Sequence, residues 1–132
     1  LKEVKDLLGV VEVGQISRLV DFIIQKNAKE AILYINSLAD EGVDLQEFAK
    51  TLVFYLRESL LLKISPNLIN TQNSGFSAEE IEKMKEQTAK LAEKDIQRIL
   101  ELFIEAENKM KYATILQLPL ELAIIDVTYN ES

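Results

Sequence analysis

A chain of 132 residues with no histidine, no cysteine and a net charge of −7 loses several functions before any motif is read. The commonest general base, the usual zinc ligands and the thiol nucleophile are all missing, and an acid excess in both halves leaves no basic nucleic-acid module. Hydrophobic residues make up 48% and charged residues 28%, a balance that suits one folded domain with a sizeable core.

No apolar run reaches the ~18 residues of a membrane span, and the charged opening does not read as a secretory leader. The lack of cysteine fits a reducing compartment. The four glycines, Gly9, Gly14, Gly42 and Gly75, fall in neither a GxxxxGK[ST] loop nor a GxGxxG turn. Catalysis would rest on carboxylates, lysines and tyrosines alone, and no stretch brings these together.

From the first residue, Val4, Leu7 and Leu8 stand at helical spacing and Gly9 stops them, so Leu1 to Leu8 is read as a short helix. The next helix is placed at Val13 to Lys26, with Ile16, Leu19, Val20 and Ile23 on one face. Asn27 with Glu30 has the capping-box spacing and opens Ala28 to Glu41, whose apolar face is Ala31, Ile32, Ile35, Leu38 and Ala39. Gly42 follows where a left-handed residue ends a helix.

Asp44 with Glu47 repeats the cap pattern, and Val43 with Phe48 has the staple spacing. The helix to about Lys63 carries a stripe of Leu45, Phe48, Ala49, Leu52, Val53, Leu56 and Leu60. Leu60, Leu61 and Leu62 add apolar surface on more than one face, which predicts a central helix. SPNLINTQNSG, Ser65 to Gly75, reads as a surface loop. Ser77 with Glu80 is a third capping box, stapled by Phe76 and Ile81, and opens a helix to about Lys90.

The pattern re-phases between Ala92 and Asp95. A helix then runs to about Ala113, with Ile96, Ile99, Leu100, Phe103, Ala106 and Met110 inward. Thr114 to Leu118 connects to a last helix with Pro119 at its first position and Leu120, Leu122, Ala123, Ile124, Ile125 and Val127 along it. These elements predict an all-α fold, a compact antiparallel bundle of about five to six helices. Periodicity by itself gives such a bundle no function beyond an interaction or scaffold domain.

The order of four segments carries more. LLGVVEVGQISRLVDFIIQKN, Leu7 to Asn27, has a leucine-glycine joint followed by a helix. AILYINSLADEGVDLQEFAKTLVFYLRESLLLK, Ala31 to Lys63, has a helix, a Gly-x-Asp corner at Gly42 to Asp44, then a helix holding L-x-x-x-L-R and a leucine run. IQRILELFIEAENKMKYA, Ile96 to Ala113, is a long helix that ends in A-x-x-x-M-K, Ala106 to Lys111. LPLELAIIDV, Leu118 to Val127, is a proline followed by an apolar helix.

In this order, over nearly the whole chain, the segments resemble the C-terminal collar domain of the gamma/tau subunit of bacterial DNA polymerase III, part of the clamp loader. The Asn67 to Gly75 loop matches no pattern of that family. The resemblance implies that residues 1–9 are the remnant of a lid-to-collar connection and residues 10–132 a single helical collar domain. An ATPase module would then lie outside the chain.

The resemblance further implies a non-catalytic oligomerisation role in DNA replication. Its partners would be the other clamp-loader subunits, met through their own collars in the cytoplasm. It implies no cofactor, metal, small-molecule ligand, membrane or direct nucleic-acid contact. The competing reading is a free-standing helical adaptor that binds a protein partner.

Several residues stand out on either reading. Arg57 lies in the leucine-rich helix and Glu121 in the apolar last one. They read as a pair tying the last helix to the core or reaching across a ring, or else as two solvated charges. Lys83, Lys85, Lys90 and Lys94 alternate with acids and read as a solvent face rather than a DNA stripe. Tyr112 and Tyr129 suit interface anchors or ordinary rim positions. Where the apolar pattern exceeds one face, Leu61, Leu62, Ile64, Ile124, Ile125 and Tyr129 are the candidate interface.

Overall fold

The computed structural model describes residues 10–68 and 74–129; the expected helix Leu1 to Leu8 lies outside them. The described residues form α1 (Val13–Ile24), α2 (Ala28–Asp40), α3 (Leu45–Ile64), a 3-10 turn (Pro66–Leu68), α4 (Ala78–Thr88), α5 (Glu93–Met110) and α6 (Leu118–Tyr129), with no strand among them. Helices packed on helices around one core make a helical bundle.

Helix starts follow local chemistry. The Asn27 side chain accepts the Glu30 N–H at 3.2 Å. Asp44 accepts from Gln46 and Glu47 at 3.1 and 3.2 Å, and Ser77 accepts from Glu80 at 3.1 Å. Each satisfies first-turn donors that the helix itself leaves unpaired. The reciprocal half of the box forms at Ser77, whose N–H reaches Glu80 Oε1 at 2.8 Å. Glu47 turns instead to Lys50, at 3.3 Å.

The expected boundaries hold to within a few residues, and the differences have causes. The first long helix stops at Ile24 because Lys26 takes φ +58°. Its N–H and that of Asn27 fold back on the carbonyls of Ile23 and Phe22, both at 2.9 Å, the closing motif usually given to glycine. Gly42, at φ +89°, closes α2 in the same way. The break before α5 falls at Ala92, which is extended. Pro119 is the second residue of α6 rather than the first, still within the first turn, where a missing N–H costs nothing.

As expected, α3 is central. It packs against α5, α4 and α1, while α6 lies against α5, α2 and α1. The core is built on Phe48, Leu52 and Tyr55 of α3 with Ile16, Leu19, Ile35, Met84, Phe103, Met110, Leu120 and Ile124. None of the described helices is long and apolar enough to cross a membrane.

Candidate interaction surface

Two features stand out from this frame: a polar cluster that reaches from buried Tyr55 and Gln87 to the surface, and an apolar face left uncovered. Tyr55 is buried in α3, and its hydroxyl donates to Gln87 Oε1 of α4 at 2.5 Å. The Gln87 amide donates in turn to the Ser17 carbonyl and to Asp21 Oδ1 of α1, both at 2.9 Å. Lys83 closes the chain on Asp21 at 3.1 Å. Three helices are thus tied by groups with partners on every side, and no buried side-chain nitrogen or oxygen among the described residues lacks one.

Burial pushes the Tyr55 hydroxyl up to about 12, with the Asp21 carboxylate adding to the shift and the Ser17 hydroxyl opposing it. The cluster ties α1, α3 and α4 together. No three His, Cys, Asp or Glu side chains gather as metal ligands among the described residues.

The uncovered face belongs to α6. Its inner side buries Leu120, Ala123, Ile124 and Val127. Leu118, Leu122, Ile125 and Tyr129 follow one another at spacings of four, three and four, which aligns them on the opposite side of the same helix. They are 42%, 56%, 37% and 69% exposed, a stripe about 16 Å long. Ile115 and Leu116, also exposed, continue it into the α5–α6 connection.

Two acids mark the borders between the faces, and both are anchored. Glu121 accepts from the Asn36 amide of α2 at 3.0 Å, and Asp126 binds Arg98 of α5 at 2.9 Å. A helix apolar on both sides is ordinarily buried on both.

The sequence candidates divide against this geometry. Leu62 and Ile124 are core residues and leave the interface set, because each lies on the inward side of its helix. Leu61 is half-buried and Ile64 exposed at the end of α3. Ile125 and Tyr129 lie on the α6 stripe. The stripe adds Leu118 and Leu122, which sequence reasoning passed over although their spacing was readable.

Arg57 and Glu121 do not pair with each other. Arg57 is exposed and binds the neighbouring, buried Glu58 at 2.6 Å, while Glu121 is held by Asn36 on α2. The cause is placement: Arg57 points away from the core on α3, whose main neighbours are α5, α4 and α1. Tyr112 is also exposed, beyond the end of α5.

With the geometry in hand, known proteins give a consistent setting. A family model described as DNA polymerase III subunits gamma and tau domain III matches residues 1–132. The chain is similar to the DNA polymerase III subunit tau of Bacillus subtilis (strain 168), at 23% identity over 121 residues. That match covers 92% of the chain and 21% of the relative's length. No solved structure matches.

Proposed function

The chain belongs to domain III of the gamma and tau subunits of DNA polymerase III, and from that premise we propose that it is a non-catalytic assembly domain of the clamp loader. Residues 10–132 act as the collar, with residues 1–9 as the end of its connection to a preceding lid. The collar packs against the collars of the other loader subunits in the cytoplasm and holds their ATPase modules in a ring. The domain itself carries no catalytic group, cofactor or metal, and it makes no direct contact with DNA.

One observation carries this reading: α6 spends its inner apolar arc on the core and presents its outer arc, Leu118, Leu122, Ile125 and Tyr129, to water. Contiguous apolar surface of this kind marks sites of protein association, and the subunit has partners to cover it. The polar lock of Tyr55, Gln87 and Asp21 supports the same role, since a rigid face orders less on binding and so loses less affinity.

The test is assembly of the full-length subunit with the remaining loader subunits, followed by native mass spectrometry. Removing residues 10–132 should abolish the complex while leaving nucleotide binding by the rest of the subunit intact. A deleted subunit that still enters a complex of normal stoichiometry would overturn the proposal.

A further inference from the structure

The outer arc of α6 has a period of its own. Leu118, Leu122, Ile125 and Tyr129 recur at four, three and four residues. That is the spacing of a coiled-coil seam, narrower than the arc a helix turns into a globular core. All four reach water, from 37% exposed at Ile125 to 69% at Tyr129. Beside Leu122 the surface dips into a hollow of about 100 Å³ between α5 and α6, with Leu102 and Leu122 on its walls and the small, buried Ala106 and Ala123 beneath. A seam with a hollow beside it is a surface that another helix meets with its own side chains.

Charge along the borders is uneven. Asp126 is matched by Arg98 at 2.9 Å, and Glu105, on the rim of the hollow, by Lys109 at 3.7 Å. Glu121 is held at 3.0 Å by the neutral amide of Asn36 and makes no ion pair with any described residue. Its partner brings no compensating charge, so a cation is the group that this border lacks.

Size bears on the occupant as well. The stripe is about 16 Å long and a helix about 10 Å wide, a footprint of about 160 Å². A stable interface takes about 800 Å² from each partner. One α6 laid on the α6 of a second copy falls far short of that, whereas one helix of a larger partner adds the rest through its other contacts.

We propose, resting on the collar reading above, that α6 takes up a helix of the neighbouring subunit, with leucines or isoleucines recurring every three and four residues and a lysine or arginine placed to meet Glu121. It lies along the seam at about 20° to α6. One of its apolar side chains enters the hollow between α5 and α6.

The probe is a fluorescein-labelled, alanine-rich peptide of 18 residues, with leucines at the three-and-four spacing and lysines beside them. It is titrated with the 132-residue chain by fluorescence anisotropy, and saturable binding below about 1 mM is expected. A peptide of the same composition with its leucines at alternate positions should bind at least about tenfold more weakly, since no helix gathers them on one face. Leu122→Lys should weaken the first peptide at least about fourfold, at a melting temperature close to that of the wild type. Glu121→Gln keeps an acceptor for Asn36 and removes the charge. It should weaken the lysine peptide about two- to fivefold and leave a glutamine-for-lysine peptide unaffected.

No saturation below about 1 mM would overturn the proposal. So would equal binding of the alternate-leucine peptide, which uses the unaltered chain and stands whatever the stability of the variants. Equal effects of Glu121→Gln on both peptides would remove the cation. A chain that sediments as a dimer until Leu122→Lys separates it would make a second copy the occupant and overturn the proposal. If the peptide fails while Leu122→Lys with Tyr129→Lys still weakens loader assembly, the collar reading stands and the helix on α6 falls. If deletion of residues 10–132 leaves assembly intact, the collar reading itself falls.

Discussion

The sharpest test of the α6 stripe is to replace Leu122 and Tyr129 with lysine. Both lie on the outer arc, 56% and 69% exposed, and the lysine stem can cover the inner part of each position while its ammonium stays in water. Fully burying a large apolar side chain is worth about 1.5–3 kcal/mol. Scaled by exposure, a partner covering the stripe gains about 0.8–1.7 kcal/mol from Leu122 and about 1–2 kcal/mol from Tyr129. Losing both should raise the dissociation constant by roughly 20-fold to several hundredfold, and a trapped ammonium raises it further.

The same change removes little from the fold, so melting should fall by no more than about 3–4 °C, the equivalent of 1 kcal/mol in a domain of this size. Sedimentation velocity of the full-length subunit with its loader partners reads the first quantity, and circular dichroism of the domain reads the second. Unchanged assembly at unchanged stability would refute the assignment of the interface to α6. If Ile64→Lys at the end of α3 weakened assembly instead, the contact would lie there.

Two further outcomes test the fold beneath that surface. Asp44→Ala removes the oxygen that accepts from Gln46 and Glu47 and should cost about 1 kcal/mol, seen as a lower midpoint in urea with an unchanged slope. Tyr55→Phe leaves Gln87 Oε1 without its donor and should cost about 1–3 kcal/mol near neutral pH. The same hydroxyl makes the domain alkali-sensitive: its folded-state value is pushed up to about 12, while an unfolded tyrosine titrates near 10. The stabilisation is therefore whole below pH 10 and lost as pH rises toward 12, roughly 2–3 kcal/mol in all. Urea midpoints taken at mildly and strongly alkaline pH should fall more steeply in the wild type than in Tyr55→Phe, and parallel falls would show that another group titrates.

How legible these features were depends on how far apart in the chain their causes lie. Asn27, Asp44 and Ser77 announce helix starts because a cap acts within three residues, and the structure places each oxygen on a first-turn N–H. The stop at Ile24 was not legible, since Lys26 has no residue-type preference for φ +58° and is held there by bonds closed over the preceding turn. The polar lock was beyond reach for a different reason. Tyr55 and Gln87 are 32 positions apart and Gln87 and Ser17 are 70 apart, so no periodicity connects them, and a lone glutamine on α4 reads as solvent. The Arg57–Glu121 pairing failed for the same reason, because a charge in an apolar helix shows its own burial problem but not the partner that solves it.

The last helix is the instructive case. Its sequence is apolar all round, so hydrophobicity alone cannot say which arc turns inward, and Ile124 is as good a surface candidate as Ile125. The acids resolve it. Glu121 and Asp126 fall on the two borders, and each is tied to a neighbouring helix, by Asn36 and Arg98. Those two contacts fix the rotation of α6 about its axis: turning it to bury Leu122 and Ile125 would break both and expose Leu120 and Ile124. The folded domain therefore separates what holds it together from what it presents. The inner arc and its acid borders carry stability, while the outer arc is free to carry association. If the domain assembles as proposed, that separation lets a surface double substitution weaken assembly strongly while the bundle still folds, and an arrangement in which the two arcs were mixed would not allow it.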